Sequence, residues 1–154
     1  MHPNCEAVNQ ILEAAGLPGR VRMLDEAVTT AQAAAQHVGC PVGAIANSLI
    51  FSTDGGEPLL IMTSGAHRVD MIKVGEQLGV GLRRASPQFV REHTGQPIGG
   101  VAPVGHPNPI RTLVDRALAD FDQLWAAGGI PHAIFPLTYP ELLALTGGVE
   151  ADVS

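Results

Sequence analysis

The sequence predicts a mixed α+β domain with a central, partly antiparallel sheet. Three observations carry this: segments of helical periodicity alternate with short apolar runs, one pair of runs is joined by a turn built for a hairpin, and no internal repeat breaks the order. At 154 residues, 45% of them hydrophobic and 16% charged, the chain has material for one good core and is short for two.

In chain order, Val8, Ile11, Leu12 and Ala15 recur at helical spacing and stop at Gly16, predicting an opening helix of three turns. Val21–Leu24 reads as a short strand. Thr29 or Thr30 can cap an alanine-rich helix that runs to Val38, with Gly39 placed to end it in a left-handed conformation. Residues 45–52 and 59–63 flank Asp54-Gly55-Gly56, whose tolerance of positive φ makes the pair a β-hairpin. Val69 to Leu78 fits a helix stopped by Gly79. Leu82–Ala85 fits a strand, and Ser86-Pro87 starts a further helix that ends at Gly95. Residues 96–109 hold four prolines and three glycines, too many for a regular element, so they form a shaped loop. Residues 112–115, 123–126 and 132–137 are strand candidates, and Thr138 caps a last helix through Leu145.

Charge and composition narrow the function. The longest apolar runs fall well short of the roughly 20 residues that span a membrane, and the N-terminus lacks a basic segment followed by an apolar one, so a cytoplasmic location is expected. A net charge of -6 counts against extended DNA or RNA binding and leaves room only for local contact, for which Arg83, Arg84 and Arg91 form a candidate patch. Cys5 and Cys40 make no disulfide framework. Six histidines, at positions 2, 37, 67, 93, 106 and 132, show no metal-binding spacing, so no metal and no organic cofactor is expected. Signatures such as GxSxG, HExxH, the P-loop and GxGxxG are absent. The glycines from Gly99 to Gly105 could let backbone N–H groups approach an ester or oxyanion, or could simply make a tight connection.

Several segments resemble, in order, the YbaK/EbsC family of prolyl-tRNA synthetase-associated domains. They are Gln36-His37-Val38-Gly39, Ile45 to Phe51, Thr63-Ser64-Gly65-Ala66-His67-Arg68-Val69-Asp70 with Lys73 and Leu78-Gly79, and Thr94 to Gly105. The resemblance implies a single domain over residues 1–154 with the family's fold, a barrel-like mixed sheet flanked by helices. It also implies a trans-editing hydrolase that deacylates mischarged aminoacyl-tRNA. Its partner would be the aminoacyl-tRNA 3′ end, with an aminoacyl-tRNA synthetase a further candidate partner; no membrane or DNA is involved.

The family's glycine-x-x-x-proline loop falls on Gly99 to Pro103, and the family lysine falls where this chain has Asn47. The resemblance therefore assigns catalysis to Asn47 with the N–H groups of Gly99 and Gly100. It assigns substrate binding to Ser64, Gly65, His67, Arg68, Val101, Pro103, Gly105, His106 and His132. An amide donates and accepts hydrogen bonds but cannot neutralise charge or act as a base. The alternative is thus a non-catalytic module that binds aminoacylated 3′ ends or small amino-acid derivatives, and a bare interaction domain with a vestigial pocket is a third.

Overall fold

The computed structural model describes residues 1–154, and its elements follow the local signals closely. Helix α1 (Pro3–Ala14) begins with Pro3 in its first turn, and the His2 ring accepts from the Asn4 N–H. After β1 (Arg22–Met23), α2 (Ala31–Val38) is capped by Thr30, whose hydroxyl accepts from Ala33 N–H, and ends at Gly39 with φ +74. The hairpin is β2 (Ile45–Thr53) and β3 (Pro58–Ser64). Its turn needs positive φ only at Gly56 (+80), not at Asp54 or Gly55 as the Asp-Gly-Gly signal implied. Helix α3 (Met71–Leu78) is capped by Asp70, and α4 (Pro87–Thr94), after β4 (Leu82–Arg84), by Ser86. Residues 95–110 hold no helix or strand. Beyond them come β5 (Arg111–Asp115), β6 (Leu124–Ala127), β7 (Ala133–Leu137), α5 (Tyr139–Thr146) and β8 (Val149–Ala151). Thr138 and Glu141 close a reciprocal capping box at the start of α5.

The strands form one mixed sheet in the order β1-β7-β6-β2-β3-β5-β8, with β4 attached to the outer side of β2. The central β2·β3, β6·β7, β1·β7 and β2·β4 pairs are antiparallel; β2·β6, β3·β5 and β5·β8 are parallel. Alternation along β2 divides the apolar residues between the two faces. Ala46 and Ile50 join Leu60, Met62, Phe135, Leu12 and Leu142 in the main core. Ile45 joins Trp125, Ile134 and the alanines of α2, and Phe51 joins Leu59, Ile61 and Val74 beneath α3. No helix is long and apolar enough to cross a membrane.

On its outer side β2 is shared by two strands: β6 pairs with Ile45 and Ala46, and β4 with Phe51 to Thr53. Between them, residues 47–50 have no strand neighbour on that edge, and the sheet carries a notch.

Candidate functional site

The notch opens into a cleft with two compartments. The wider, about 290 Å³, is lined by β2 from Asn47 to Phe51, by Arg84 and Ala85 at the end of β4, by Val90 of α4, and by Ile98, Gly99 and Val101 of the long loop. The narrower, about 40 Å³, lies between β2, β6 and the start of α2, walled by Val28, Ala31, Ala34, Ile45, Trp125 and Ile134. Thr29, Asn47, Ser48, Gly99 and Ala127 border both.

Asn47 is half-buried and its amide has no hydrogen-bond partner within the chain, so donor and acceptor are both available to a ligand. Gly99 takes φ +87, and a Cβ there would lie 3.4 Å from Thr29 Cβ; the loop and the residue before the α2 cap close on one another at this point. The Gly99 N–H makes no bond inside the protein. Trp125, nine-tenths buried, forms one wall of the narrow compartment, and the Arg22 guanidinium lies 5.0 Å from its ring centre on a cation–π contact. Arg84 is the one charged residue in the lining; no histidine, cysteine, lysine or carboxylate contributes.

The long loop is held from inside by Gln96. Its fully buried side chain accepts from Ala102 N–H at 2.7 Å and donates to the Val104 carbonyl at 3.2 Å, while Thr94 hydroxyl accepts from the Gln96 N–H at 3.0 Å. A buried amide satisfied at both ends fixes the loop that carries Gly99 and Val101. Gly100 serves the same end by compactness, because its backbone packs against Ile130 and Pro131 so closely that a Cβ would sit 2.5 Å from Ile130 Cα.

Of the residues expected at a site, Asn47, Gly99 and Val101 come together in the cleft. Gly100 does not offer a free donor: its N–H is bonded to the Pro97 carbonyl at 3.0 Å, because the loop makes a turn there. Pro103, Gly105 and His106 line a separate pocket of about 260 Å³ against Thr112 and Thr146. There His106 donates from Nε2 to the Ala102 carbonyl at 2.8 Å, and burial holds its imidazole below the ordinary value while that bond pulls the other way. His132 is exposed at the start of β7 and contributes its carbonyl to Leu24 N–H.

The Ser64–Arg68 segment lines neither compartment. Ser64 is buried and donates to the Gly43 carbonyl at 2.8 Å; Gly65 packs against the Val42 carbonyl and Ala31 where no Cβ would fit. His67 Nδ1 meets the buried carboxylate of Asp115 at 2.8 Å, a carboxylate that also accepts from Ser64 N–H at 3.0 Å. Arg68 is exposed. Ser64 and His67 thereby tie the end of β3 to Asp115 at the end of β5. The sequence reading missed Thr29, Gln96, Trp125 and Ala127 as residues that build the cleft.

A wider, shallower groove of about 840 Å³ runs between α3 and β4, rimmed by Asp54, Asp70 and Glu76. Carboxylates at its edge repel phosphate, and it shares no residue with the notch. No cluster of three histidine, cysteine or acidic side chains is arranged to hold a metal ion.

Comparison with known proteins agrees with this fold. The chain matches the aminoacyl-tRNA editing domain over residues 25–145. A crystal structure of a candidate trans-editing enzyme for prolyl tRNA synthetase superposes with a TM-score of 0.92 at 42% identity, covering 100% of this chain and 98% of that one. The YwhH protein of Bacillus subtilis (strain 168), itself uncharacterized, is 34% identical over 113 residues, 73% of this chain and 72% of its own. The proline–tRNA ligase of Delftia acidovorans is 28% identical over 131 residues, 75% of this chain and 22% of the much longer ligase. The chain belongs to the aminoacyl-tRNA editing domain family, as its resemblance to the YbaK/EbsC group implies.

Proposed function

We propose that the protein is a deacylase that acts in trans on mischarged aminoacyl-tRNA of the prolyl type, removing an amino acid with a small side chain. The observation that carries this reading is the shared border of the two compartments. A ligand that fills both must cross Thr29, Asn47, Ser48, Gly99 and Ala127, and in this reading its scissile linkage lies beside the free amide of Asn47 and the free N–H of Gly99. The apolar compartment of about 40 Å³ has room for a side chain of a few heavy atoms at most. The wider one, with Arg84 at its far end, suits the terminal nucleoside and its phosphate.

In this arrangement Asn47 donates to the ester carbonyl and, with Gly99, stabilises the oxyanion as a water oxygen adds to the carbon. The carbon–oxygen ester bond then breaks. The proton of the attacking water passes to the departing ribose oxygen, giving a free amino acid and a tRNA with its terminal hydroxyl restored. No side chain of the lining can serve as a general base, so the reaction draws on orientation and on the ribose hydroxyl next to the ester, which can hold the water. The similarity to a candidate trans-editing enzyme for prolyl tRNA synthetase supports the tRNA class.

Asn47 at the position of the family lysine favours a second reading, a module that binds aminoacylated 3′ ends without cleaving them. A deacylation screen over mischarged tRNAs, run beside a binding titration with a non-hydrolysable aminoacyl-adenosine analogue, separates the two. Turnover of a small aminoacyl ester supports the deacylase, binding without turnover supports the module, and neither overturns both.

A further inference from the structure

The notch in the sheet exposes main chain whose direction can be deduced. Gly65 N–H bonds to the Ile45 carbonyl and Thr53 N–H to the Glu57 carbonyl, each at 2.9 Å, so the odd-numbered residues of β2 direct their N–H and C=O groups toward β3. In an antiparallel pair the residues between them direct theirs to the opposite edge. There Ala46 is taken by β6 and Ser52 by β4. Ser48 and Ile50 stand between, in the gap; of the two only Ser48 borders both compartments, and its N–H and C=O face the cleft with no strand to meet them.

We propose that the main chain of Ser48 reads the α-aminoacyl group of the ligand as though it were one residue of an added strand. This deepens the proposed function and rests on it. An aminoacyl ester carries a donor, the α-ammonium, and an acceptor, the ester carbonyl, on either side of one Cα, as a strand residue does. Set against Ser48 like a hydrogen-bonded antiparallel pair, the ammonium donates to the Ser48 carbonyl and the Ser48 N–H donates to the ester carbonyl. The second bond adds a donor to those of Asn47 and Gly99.

The gap also selects against longer chains. Four residues at about 3.3 Å each give roughly 13 Å of edge, stopped by Ala127 at one end and Arg84 at the other. That length takes one amino acid and part of a nucleoside, and excludes an extended peptide. The substrate class that follows is the ester of a single amino acid with its α-nitrogen able to donate. Because the contact is through main chain, it is indifferent to the side chain, whose size is judged separately in the narrow compartment.

The test is amide hydrogen exchange followed by NMR on the intact protein, with 3′-alanylamino-3′-deoxyadenosine and its propionyl counterpart, which lacks the α-amine. At saturating alanyl analogue, exchange at Ser48 is expected to slow at least about tenfold, while Asn47 and Leu49, already bonded to β3, change little. The propionyl compound should bind about tenfold more weakly, the loss of one hydrogen bond to a charged group. Analogue binding that shifts Asn47 and Gly99 but leaves Ser48 exchange untouched, with equal affinity for the propionyl compound, overturns this inference alone. Absence of any shift around the cleft overturns the deacylase reading and this inference with it.

Discussion

Replacing Ala34 by valine tests the division of labour between the two compartments. Ala34 lies on the buried side of α2 and lines the narrow compartment. The substitution adds two methyl groups to the wall of a compartment of only about 40 Å³. The compartment narrows. A substrate whose side chain enters it loses about 1–3 kcal/mol per excluded methylene-sized group, a factor of about 10 to 200 in kcat/KM. A glycyl ester, with nothing to insert, keeps its rate. The ratio of kcat/KM for alanyl over glycyl ester on the same tRNA should therefore fall by about 10- to 200-fold. Valine in place of alanine costs a helix about 0.5 kcal/mol and crowding a buried wall about 1–3 kcal/mol, so the thermal midpoint should fall by about 2–4 °C per kcal/mol, and a transition that stays cooperative above the assay temperature excludes gross unfolding as the cause. An unchanged alanyl-to-glycyl ratio in a folded Ala34→Val protein would refute the assignment of this compartment to the side chain.

Three other substitutions bear on the catalytic donor, the loop and the acid limit of stability. Asn47→Ala should lower ester hydrolysis by about 10²-fold, the lower range for loss of one oxyanion donor, with the denaturation midpoint little changed; full activity would remove Asn47 from the mechanism. Gly100→Ala forces a Cβ to within 2.6 Å of Pro131 N and must displace the loop. A loss of about 1–3 kcal/mol is expected, read as a Tm lowered by about 2–4 °C per kcal/mol for a chain of this size. Arg20 grips Glu141 through two bonds, at 2.6 and 3.0 Å, and its guanidinium holds that carboxyl below its ordinary value of 4.5. A lowered folded-state value means stability that is fully present above 4.5 and lost as the pH falls through the folded value. Urea midpoints of native and Glu141→Gln proteins should thus differ at pH 7 and converge in the acid range; a constant difference down to pH 3 would contradict this.

Much of the fold was legible because its boundaries are local chemistry. Thr30, Asp70, Ser86 and Thr138 each cap a helix with their own side chain, and Gly39, Gly79, Gly95 and Gly147 each end one in the left-handed region. The hairpin declared itself through two apolar runs and a Gly-rich turn. Strand β8 did not: three residues, two of them exposed, exist as a strand only because β5 supplies a parallel neighbour, and a parallel pairing leaves no local signature. The cleft divides in the same way. Asn47, Gly99 and Val101 were readable through their resemblance to a family pattern. Thr29, Trp125 and Ala127 reach the cleft through pairings and packing between distant segments, such as Ile45 with Trp125. Ser64 and His67 were expected at the site on the same resemblance, and they line neither compartment. Ser64 lies across from Ala46, yet its side chain turns to Gly43, and His67 turns to Asp115.

Trp125, the sole tryptophan of the chain, makes the narrow compartment optically visible. Its indole forms a wall of the space that the substrate side chain is proposed to fill, with the Arg22 guanidinium on the ring. Any occupant changes the polarity around that one fluorophore, so intrinsic emission reports the compartment with no label and no competing signal from another tryptophan. Stopped-flow fluorescence can then time the arrival of the side chain, and quenched-flow sampling the release of the amino acid, in the same unmodified protein. The lag between the two signals is the lifetime of the bound ester.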